Sequence, residues 1–379
     1  MNRSVLHLDL DTFFVSVERL MNSKLNGLPV IVGGTSDRGV VASCSYEARQ
    51  FGVHSAMPAK LARQLCPQAI FIKGDYDAYS KYSHIVTEIL KEQAPITEKA
   101  SIDEHYLDLS GLDKYFGCYK WASELRNRVI RETGLPISFG LSVNKTVSKV
   151  ATGQAKPNGQ IHVNDGNEKP FLAPLSVKKI PMIGNKTYIQ LRNMGVSQIG
   201  TVQQMEPEIM QRVFGENGVM IWKKCNGIDN TPVVPYSEKK SISKETTFDK
   251  DTINMEQLKK TIVRMVDELA FDLRKDKILT ACISVKIRYS DFNTEQVQQK
   301  ITYTASTSKL TEKALELFKK VYSRRVLLRL VGVKFSTLIH GTEQLDLFND
   351  AATQISLNNA MDSIRMRFGS NTVMKAICL

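Results

Sequence analysis

None of the six cysteines in this 379-residue chain (Cys44, Cys66, Cys118, Cys225, Cys282 and Cys378) forms a CxxC pair, and none joins histidines at zinc-binding spacing. Structural zinc and a disulfide framework are therefore not expected. Long apolar runs are also missing. No run approaches the roughly 20 residues that cross a bilayer. Asp9 and Asp11 interrupt the only early apolar stretch, so no secretory leader is expected either. These absences imply a reducing, cytoplasmic setting without a membrane. Acidic residues are scarce relative to basic ones, 39 against 51, for a net charge of +12. The excess is local. Residues 238–340 carry 21 basic and 13 acidic groups, whereas residues 1–165 carry 19 and 17. Concentrated charge points to a dedicated polyanion-binding domain rather than a diffuse solubilising surface. The length is enough for two to four domains with proper cores.

The most informative stretch that is present runs Ser101-Ile102-Asp103-Glu104-His105-Tyr106-Leu107-Asp108, and it belongs with Leu8-Asp9-Leu10-Asp11. An Asp-Glu pair alone is usually surface decoration. Here the pair lies in an apolar, strand-like run and is matched by a second acidic pair in another such run. Carboxylates converge in a fold only where cations neutralise them. Oxygen-only donors suit hard divalent cations such as Mg²⁺, and two such ions roughly 4 Å apart are a standard device for phosphoryl transfer. The pattern thus points to two-metal nucleotidyl transfer. Successive strand residues face opposite sides, so Asp103 and Glu104, if both mid-strand, need a local twist or bulge to reach one metal pair.

Strands are expected at Ser4–Leu10, Pro29–Gly33, Val40–Ser45, Ala100–Ser110 and Ile137–Val143. Helices are expected at Phe13–Leu20, from Tyr46, and at Ser80–Gln93, Lys120–Thr133 and Lys145–Thr152. This alternation predicts an α+β or α/β core. Residues 176–227 read as short helices without strands, and Pro232 and Pro235 mark a linker. Residues 241–337 then read strand, helix, strand, strand, helix, strand, a βαββαβ order. In its Leu279–Tyr289 strand, Ile283, Val285, Ile287 and Tyr289 share one face while Ser284, Lys286 and Arg288 share the other. That basic face suits a phosphate backbone or simply water.

Smaller signals gain meaning together. Tyr46 and Arg49 lie three apart on one helical face, offering a hydroxyl and a guanidinium fork to phosphate. Lys156-Pro157-Asn158-Gly159 is a turn carrying a cation. Ile180-Pro181-Met182-Ile183-Gly184-Asn185-Lys186 is a hairpin opening onto a helix start, where backbone N–H groups can hold phosphate. Gln344-Leu345-Asp346-Leu347-Phe348 places three apolar side chains in a polar tail, as a linear docking peptide would. Ile355–Leu379 reads as a helix.

Taken in order, these motifs closely resemble the Y-family DNA polymerases, in particular the bacterial DinB or polymerase IV-like branch, over roughly residues 4–348. SIDE-x-YLDLS is the most specific of them. The resemblance implies an α+β right-hand polymerase with a ferredoxin-like palm (1–11 and 76–165), small fingers (12–75), a helical thumb with a helix-hairpin-helix (166–232), a linker (233–239), a βαββαβ little finger (240–340) and a C-terminal tail (341–379). It implies Asp9, Asp103 and Glu104 as catalytic ligands of two Mg²⁺ ions, helped by the Leu10 carbonyl, with Mn²⁺ able to substitute. Phe14 falls at the steric gate, and Phe13 and Phe14 fall among the nucleotide contacts. Ser43 lies near the incoming base, and Tyr46, Arg49 and Lys156 fall on triphosphate contacts. Ile183, Gly184 and Lys186 in the thumb, with Lys240, Lys244, Lys286, Arg288 and Arg329 in the basic domain, are the implied DNA contacts. QLDLF resembles the peptide that docks on the bacterial sliding clamp.

The implied protein is a monomeric, cytoplasmic, nucleoid-associated enzyme. It takes primer-template DNA and dNTPs and copies damaged template at low fidelity without proofreading. Rival readings are a catalytically dead, clamp-recruited adaptor, which would be expected to lose acidic ligands, and a nucleotide cyclase, which needs no DNA grip. Two departures stand out. His105 occupies a position where the family usually has a small residue; it either packs behind the strand or perturbs metal affinity. PMIG replaces the commoner PGIG, which would weaken the hairpin's phosphate contact.

Overall fold

The computed structural model describes residues 3–94, 96–112, 117–341, 351–369 and 372–374. The Gln344–Phe348 peptide lies outside the described residues. The chain divides into two units, Met1–Ser237 and Glu238–Leu379.

In the first unit β1 (Val5–Leu10), β2 (Val30–Gly33), β3 (Val41–Cys44), β4 (Ile70–Ile72), β5 (Thr97–Lys99), β6 (Glu104–Asp108), β7 (Ile137–Ser142) and β8 (Gln160–His162) form two sheets. Their orders are β5-β6-β1-β7-β8 and β3-β2-β4. The helices of this unit are α1 (Phe13–Met21), α2 (Tyr46–Arg49), α3 (Ala59–Leu65), α4 (Tyr76–Gln93), α5 (Cys118–Thr133) and α6 (Lys145–Ala155), then α7 (Glu168–Leu172), α8 (Asn185–Asn193), α9 (Ile199–Gln203), α10 (Pro207–Phe214) and α11 (Glu216–Cys225).

The larger sheet has two different faces because strand side chains alternate. Leu6, Leu8 and Leu10 of β1 are fully buried in one core with residues of α1, α4 and α5. Each such leucine contributes about 1.5–3 kcal/mol relative to exposure. His7 and Asp9 take the opposite face, under α6. Gly140 of β7 lets α6 come this close: a Cβ there would sit 2.2 Å from the Ser148 carbonyl oxygen. Antiparallel pairing then fixes the rest. Asp9 lies opposite Glu104, Leu8 opposite His105 and His7 opposite Tyr106.

The strand expected over Ala100–Ser110 is shorter, β6 at Glu104–Asp108, and a bend at residues 101–103 separates it from β5 before the expected span. The Ser101 hydroxyl accepts from the Glu104 N–H at 3.0 Å and donates to the Asp103 carboxylate at 2.6 Å. Asp103 therefore sits in the bend and not mid-strand, so the alternation that would separate it from Glu104 does not apply. The helix expected from Ser80 starts earlier, at Tyr76, because the Asp75 carboxylate caps the N–H groups of Asp77 and Ala78.

The second unit has β9 (Ser241–Thr252), α12 (Met255–Lys275), β10 (Ile278–Tyr289), β11 (Thr294–Thr304), α13 (Thr307–Val321), β12 (Leu328–His340) and α14 (Ala351–Phe368). This is the expected βαββαβ order, with sheet order β11-β10-β12-β9. Ile283, Val285, Ile287 and Tyr289 are buried with residues of α12 and α13. The other face is polar and open: Gln296, Lys286, Gly332 and Glu245 lie side by side across four strands.

The last helix runs against ordinary amphipathic logic. Among the described residues Asn358, Asp362 and Arg365 are the buried ones, while Leu357, Ile364 and Phe368 are exposed. Arg365 pairs with Asp267 at 2.5 Å and Arg274 with Asp362 at 2.5 Å, which sets α14 antiparallel to α12.

Candidate active site

Three carboxylates and a row of lysines meet where β1, β6 and α6 converge. Lys145, Lys149 and Lys156 recur at helical spacing along α6 and its C-cap. Each has an acid as its nearest partner: Lys145 pairs with Glu98 at 2.6 Å, Lys149 with Glu104 at 2.5 Å and Lys156 with Asp9 at 2.5 Å. The sequence reading missed Lys145 and Lys149, although their i, i+4 spacing opposite the acidic strands was a usable signal. The Asp9 carboxyl is pushed up to about 7, first by burial and then by its neighbours Glu104 and Asp103; Lys156 pulls it the other way but does not prevail.

Among the described residues no three acidic, histidine or cysteine side chains form a ready-made metal-holding group. The donors at hand are nonetheless all hard oxygen: Asp9, Asp103, Glu104 and the Leu10 carbonyl. An acid held protonated-prone by burial and by two other acids is short of positive charge. That set fits divalent cations of the Mg²⁺ class, provided Lys149 and Lys156 turn away from Glu104 and Asp9.

A pocket of about 140 Å³ opens beside these acids, lined by Asp9, Leu10, Phe13, Phe14, Ser43, Arg49, Asp103 and Lys156, with Thr12, Ala42 and Ser55. The structure thus gathers most of the expected nucleotide contacts. Phe14 is half-buried and stacks on Tyr79, ring centroids 4.3 Å apart and planes at 13°. Tyr79 is itself fully buried and bonded to Glu18, so the Phe14 ring has a rigid back wall. The Arg49 guanidinium lies over the Tyr46 ring, 5.0 Å from its centroid. The Tyr46 hydroxyl is raised well above its usual range by burial and then by Asp11. Lys156 comes from the Lys-Pro-Asn-Gly turn, where a Cβ on Gly159 would lie 2.1 Å from the Ala155 carbonyl oxygen. Only glycine lets that turn fold back onto the end of α6.

His105 takes the opposite face from Glu104. It is 1% exposed, and its Nε2 lies 3.0 Å from the Thr87 hydroxyl on α4. Burial pushes its imidazole down to about 3. His7 does share the Glu104 face: its Nδ1 is 2.8 Å from the Thr152 hydroxyl, and its Nε2 is 4.0 Å from Glu104.

The implied DNA contacts separate into distinct places. Gly184 is the N-cap of α8, Ile183 is buried beneath it and Lys186 is exposed. Met182 carries φ 81° with its side chain exposed, a left-handed backbone that glycine would adopt without cost. In the second unit Lys286 lies on the open sheet face and pairs with Glu245 at 2.5 Å. Arg288 donates to the Thr294 hydroxyl at 2.8 Å, and Lys240 is exposed just ahead of β9. Lys244 does not join Lys286: it turns to the helical side and pairs with Glu268 of α12 at 2.6 Å. Arg329 lies over the Phe292 ring.

Comparison with known proteins agrees across nearly the whole chain. Residues 8–153 match the impB/mucB/samB family, and residues 239–347 match that family's C-terminal domain. Residues 178–229 match a thumb domain described from DNA polymerase-iota. A protein named DNA polymerase IV from Dehalococcoides mccartyi strain BAV1 is 39% identical over 375 residues, 98% of this chain and 96% of that one. This chain belongs to the Y family of DNA polymerases. Its DinB or polymerase IV-like branch is the one indicated, since proteins of the same name from Treponema denticola and Lactococcus lactis subsp. cremoris are 37% and 36% identical, covering 86% and 88% of this chain and 83% and 94% of theirs. A solved Y-family DNA polymerase chimera superposes with a TM-score of 0.81 at 25% identity, covering 89% of this chain and all of the chimera. The architecture is accordingly that of a right hand: an α+β palm, small fingers, a helical thumb and a βαββαβ little finger. Among the described residues no helix is long and apolar enough to cross a membrane.

Proposed function

We propose that this Y-family chain is a template-directed DNA polymerase that extends a primer 3′-OH with dNTPs past damaged template bases, at low fidelity and without proofreading. The supporting observation is that Asp9 and Asp103 line one pocket with Phe14, Arg49 and Lys156, while Glu104 lies opposite Asp9 in strand register. Asp9, Asp103 and Glu104, with the Leu10 carbonyl, would hold two divalent cations, Mg²⁺ or in its place Mn²⁺. Bound there, the ions would lower the pKa of the attacking hydroxyl and neutralise charge on the triphosphate.

The chain's own residues do the rest. Lys156 and Arg49 bring cations to the triphosphate and Tyr46 a hydroxyl. Phe14, backed by Tyr79, closes the space a ribose 2′-OH would need, and Ser43 borders the incoming base. The small fingers leave room for a distorted template base. Residues 1–11 and 76–165 serve as palm, 12–75 as fingers, 166–232 as thumb and 240–340 as little finger. The α8 start, with Gly184 and Lys186, and the face carrying Lys286 and Arg288 grip backbone phosphate, so affinity falls steeply with salt. The Gln344–Phe348 peptide docks a sliding clamp, and the enzyme works as a monomer in the cytoplasm on nucleoid DNA.

The direct test is extension of a labelled primer on a templated duplex with Mg²⁺ and dNTPs. Wild type should extend and Glu104→Ala should not. A wild-type protein that binds the duplex and leaves the primer unextended would refute the reading.

A further inference from the structure

Asp11 has no part in the chemistry described above, yet four donors converge on it. It is 1% exposed. Its two oxygens do different things. Oδ2 accepts from the Ser138 hydroxyl at 2.8 Å and from the Asn158 backbone N–H at 2.7 Å. Oδ1 turns toward the pocket, where the Tyr46 hydroxyl lies at 3.4 Å and the Lys156 ammonium at 3.8 Å. These partners come from three separate places: the start of α2, strand β7, and the Lys-Pro-Asn-Gly turn. The turn is held from its other side by Arg126, which donates to the Asn158 backbone carbonyl at 2.8 Å.

We infer that Asp11 is a positioning residue for the incoming nucleotide, fixing Tyr46 and Lys156 relative to one another before the triphosphate arrives. The inference rests on the reading of Tyr46 and Lys156 as triphosphate contacts. Its physical basis is the donor count. Only a carboxylate accepts on both sides at once; an amide offers one accepting and one donating side. Lys156 also lies between two acids, Asp9 at 2.5 Å and Asp11 at 3.8 Å. Asp11 therefore keeps the ammonium near the pocket when Asp9 is otherwise engaged. Arg49 lies over the Tyr46 ring, so placing Tyr46 also places the guanidinium. Donors held in place ahead of binding cost no reorganisation when the ligand arrives.

Asp11→Asn separates this role from a merely structural one. The Ser138 and Asn158 donors select the amide oxygen for the Oδ2 side, which keeps the turn anchored. The amide nitrogen then faces Tyr46 and Lys156: it repels the ammonium, and the Tyr46 hydroxyl must turn from donor to acceptor. Two readouts apply: single-nucleotide insertion kinetics, and dNTP dissociation constants on a primer terminated with a dideoxynucleotide. Both the KM and the dissociation constant for dNTP should rise roughly five- to tenfold. The kcat should stay within about twofold of wild type, at an unchanged melting temperature. A structural defect alone would lower the active fraction, cutting kcat while leaving KM and the dissociation constant as in wild type, and that result overturns the inference. Lys156→Ala is measured alongside. If it raises the dNTP constants and Asp11→Asn does not, the positioning role falls and the triphosphate reading stands. If Lys156→Ala leaves them unchanged, the triphosphate reading fails and this inference fails with it.

Discussion

Removing Asp267 should release the last helix without unfolding the domain beneath it. Arg365 is 4% exposed and Asp267 6%. Their pair at 2.5 Å, with Arg274–Asp362 at 2.5 Å, supplies the charged contact between α14 and α12. Asp267→Ala leaves a buried guanidinium without its counter-charge, a loss of about 3–5 kcal/mol in comparable sites. Arg365 would retain its bonds to the Val373 carbonyl oxygen, at 2.7 and 2.9 Å, and its place over the Phe271 ring, none of which supplies a counter-charge. The exposed Arg264–Glu268 pair on the same α12 is different in kind, since such pairs contribute up to about 1 kcal/mol. Among the described residues the hydrophobic core of the domain includes none from α14, so the loss stays with the helix. It is capped by the free energy that docks the helix.

Hydrogen exchange read by mass spectrometry distinguishes the two levels. Protection of amides in residues 356–368 should fall by on the order of 10²–10³-fold, while β10 and β12 keep theirs. A double variant, Asp267→Leu with Arg365→Met, removes both charges and should restore much of the protection. Salt should change little, because the pair is shielded from solvent. Unchanged α14 protection in Asp267→Ala, or a double variant as unprotected as the single one, would refute the argument.

Other consequences can be measured separately. Phe14→Ala should admit ribonucleotides, raising the rNTP-to-dNTP ratio of kcat/KM; an unchanged ratio would remove Phe14 from the gate. It should also lower stability by roughly 0.5–1.5 kcal/mol through the lost stack on Tyr79. Met182→Gly should stabilise the thumb hairpin: relief of a left-handed non-glycine residue gains about 1–2 kcal/mol, offset by about 0.4–1 kcal/mol of unfolded-chain entropy. A lower melting temperature would contradict that sign. Asp9 should give a pH signature in metal-free buffer. Its folded carboxyl is held near 7 against 3.8 for the free group, so the folded state binds the extra proton, and stability falls as pH rises from about 4 to about 7. Asp9→Asn should therefore gain on wild type across that window in EDTA; a constant difference between the two would discard the assignment. Leu347 and Phe348 to Ala should leave basal extension intact and abolish stimulation by a clamp, and surviving stimulation would exclude the peptide as the dock.

What the sequence made legible was whatever repeats at a fixed period. Leu6, Leu8 and Leu10 alternate with His7 and Asp9, so the two faces of β1 could be read before any fold was known, and pairing then carried Glu104 to the Asp9 side and His105 away from it. The βαββαβ order of the second unit was readable for the same reason, as was the apolar face through Ile283, Val285 and Ile287. The family motif located Asp103 and Glu104 but not how they share a site. That depends on a bend held by one hydroxyl, Ser101, which has no period. Lys244 and Lys286 look equivalent as basic strand residues, yet they lie on different strands, and only the register of β9 against β12 assigns them to opposite faces. The role of Asp11 was least legible: the local pattern marked it as half of an acidic pair, but its partners lie 35, 127 and 147 positions away. The α14 helix was no more legible. Its apolar residues form almost no stripe, and its burial follows charge complementarity with Asp267 and Arg274, so hydrophobic patterning marks no face. Local periodicity thus predicts which side of an element is distinct. Which side is buried, and which polar group is held in place, is decided by contacts between elements far apart in sequence.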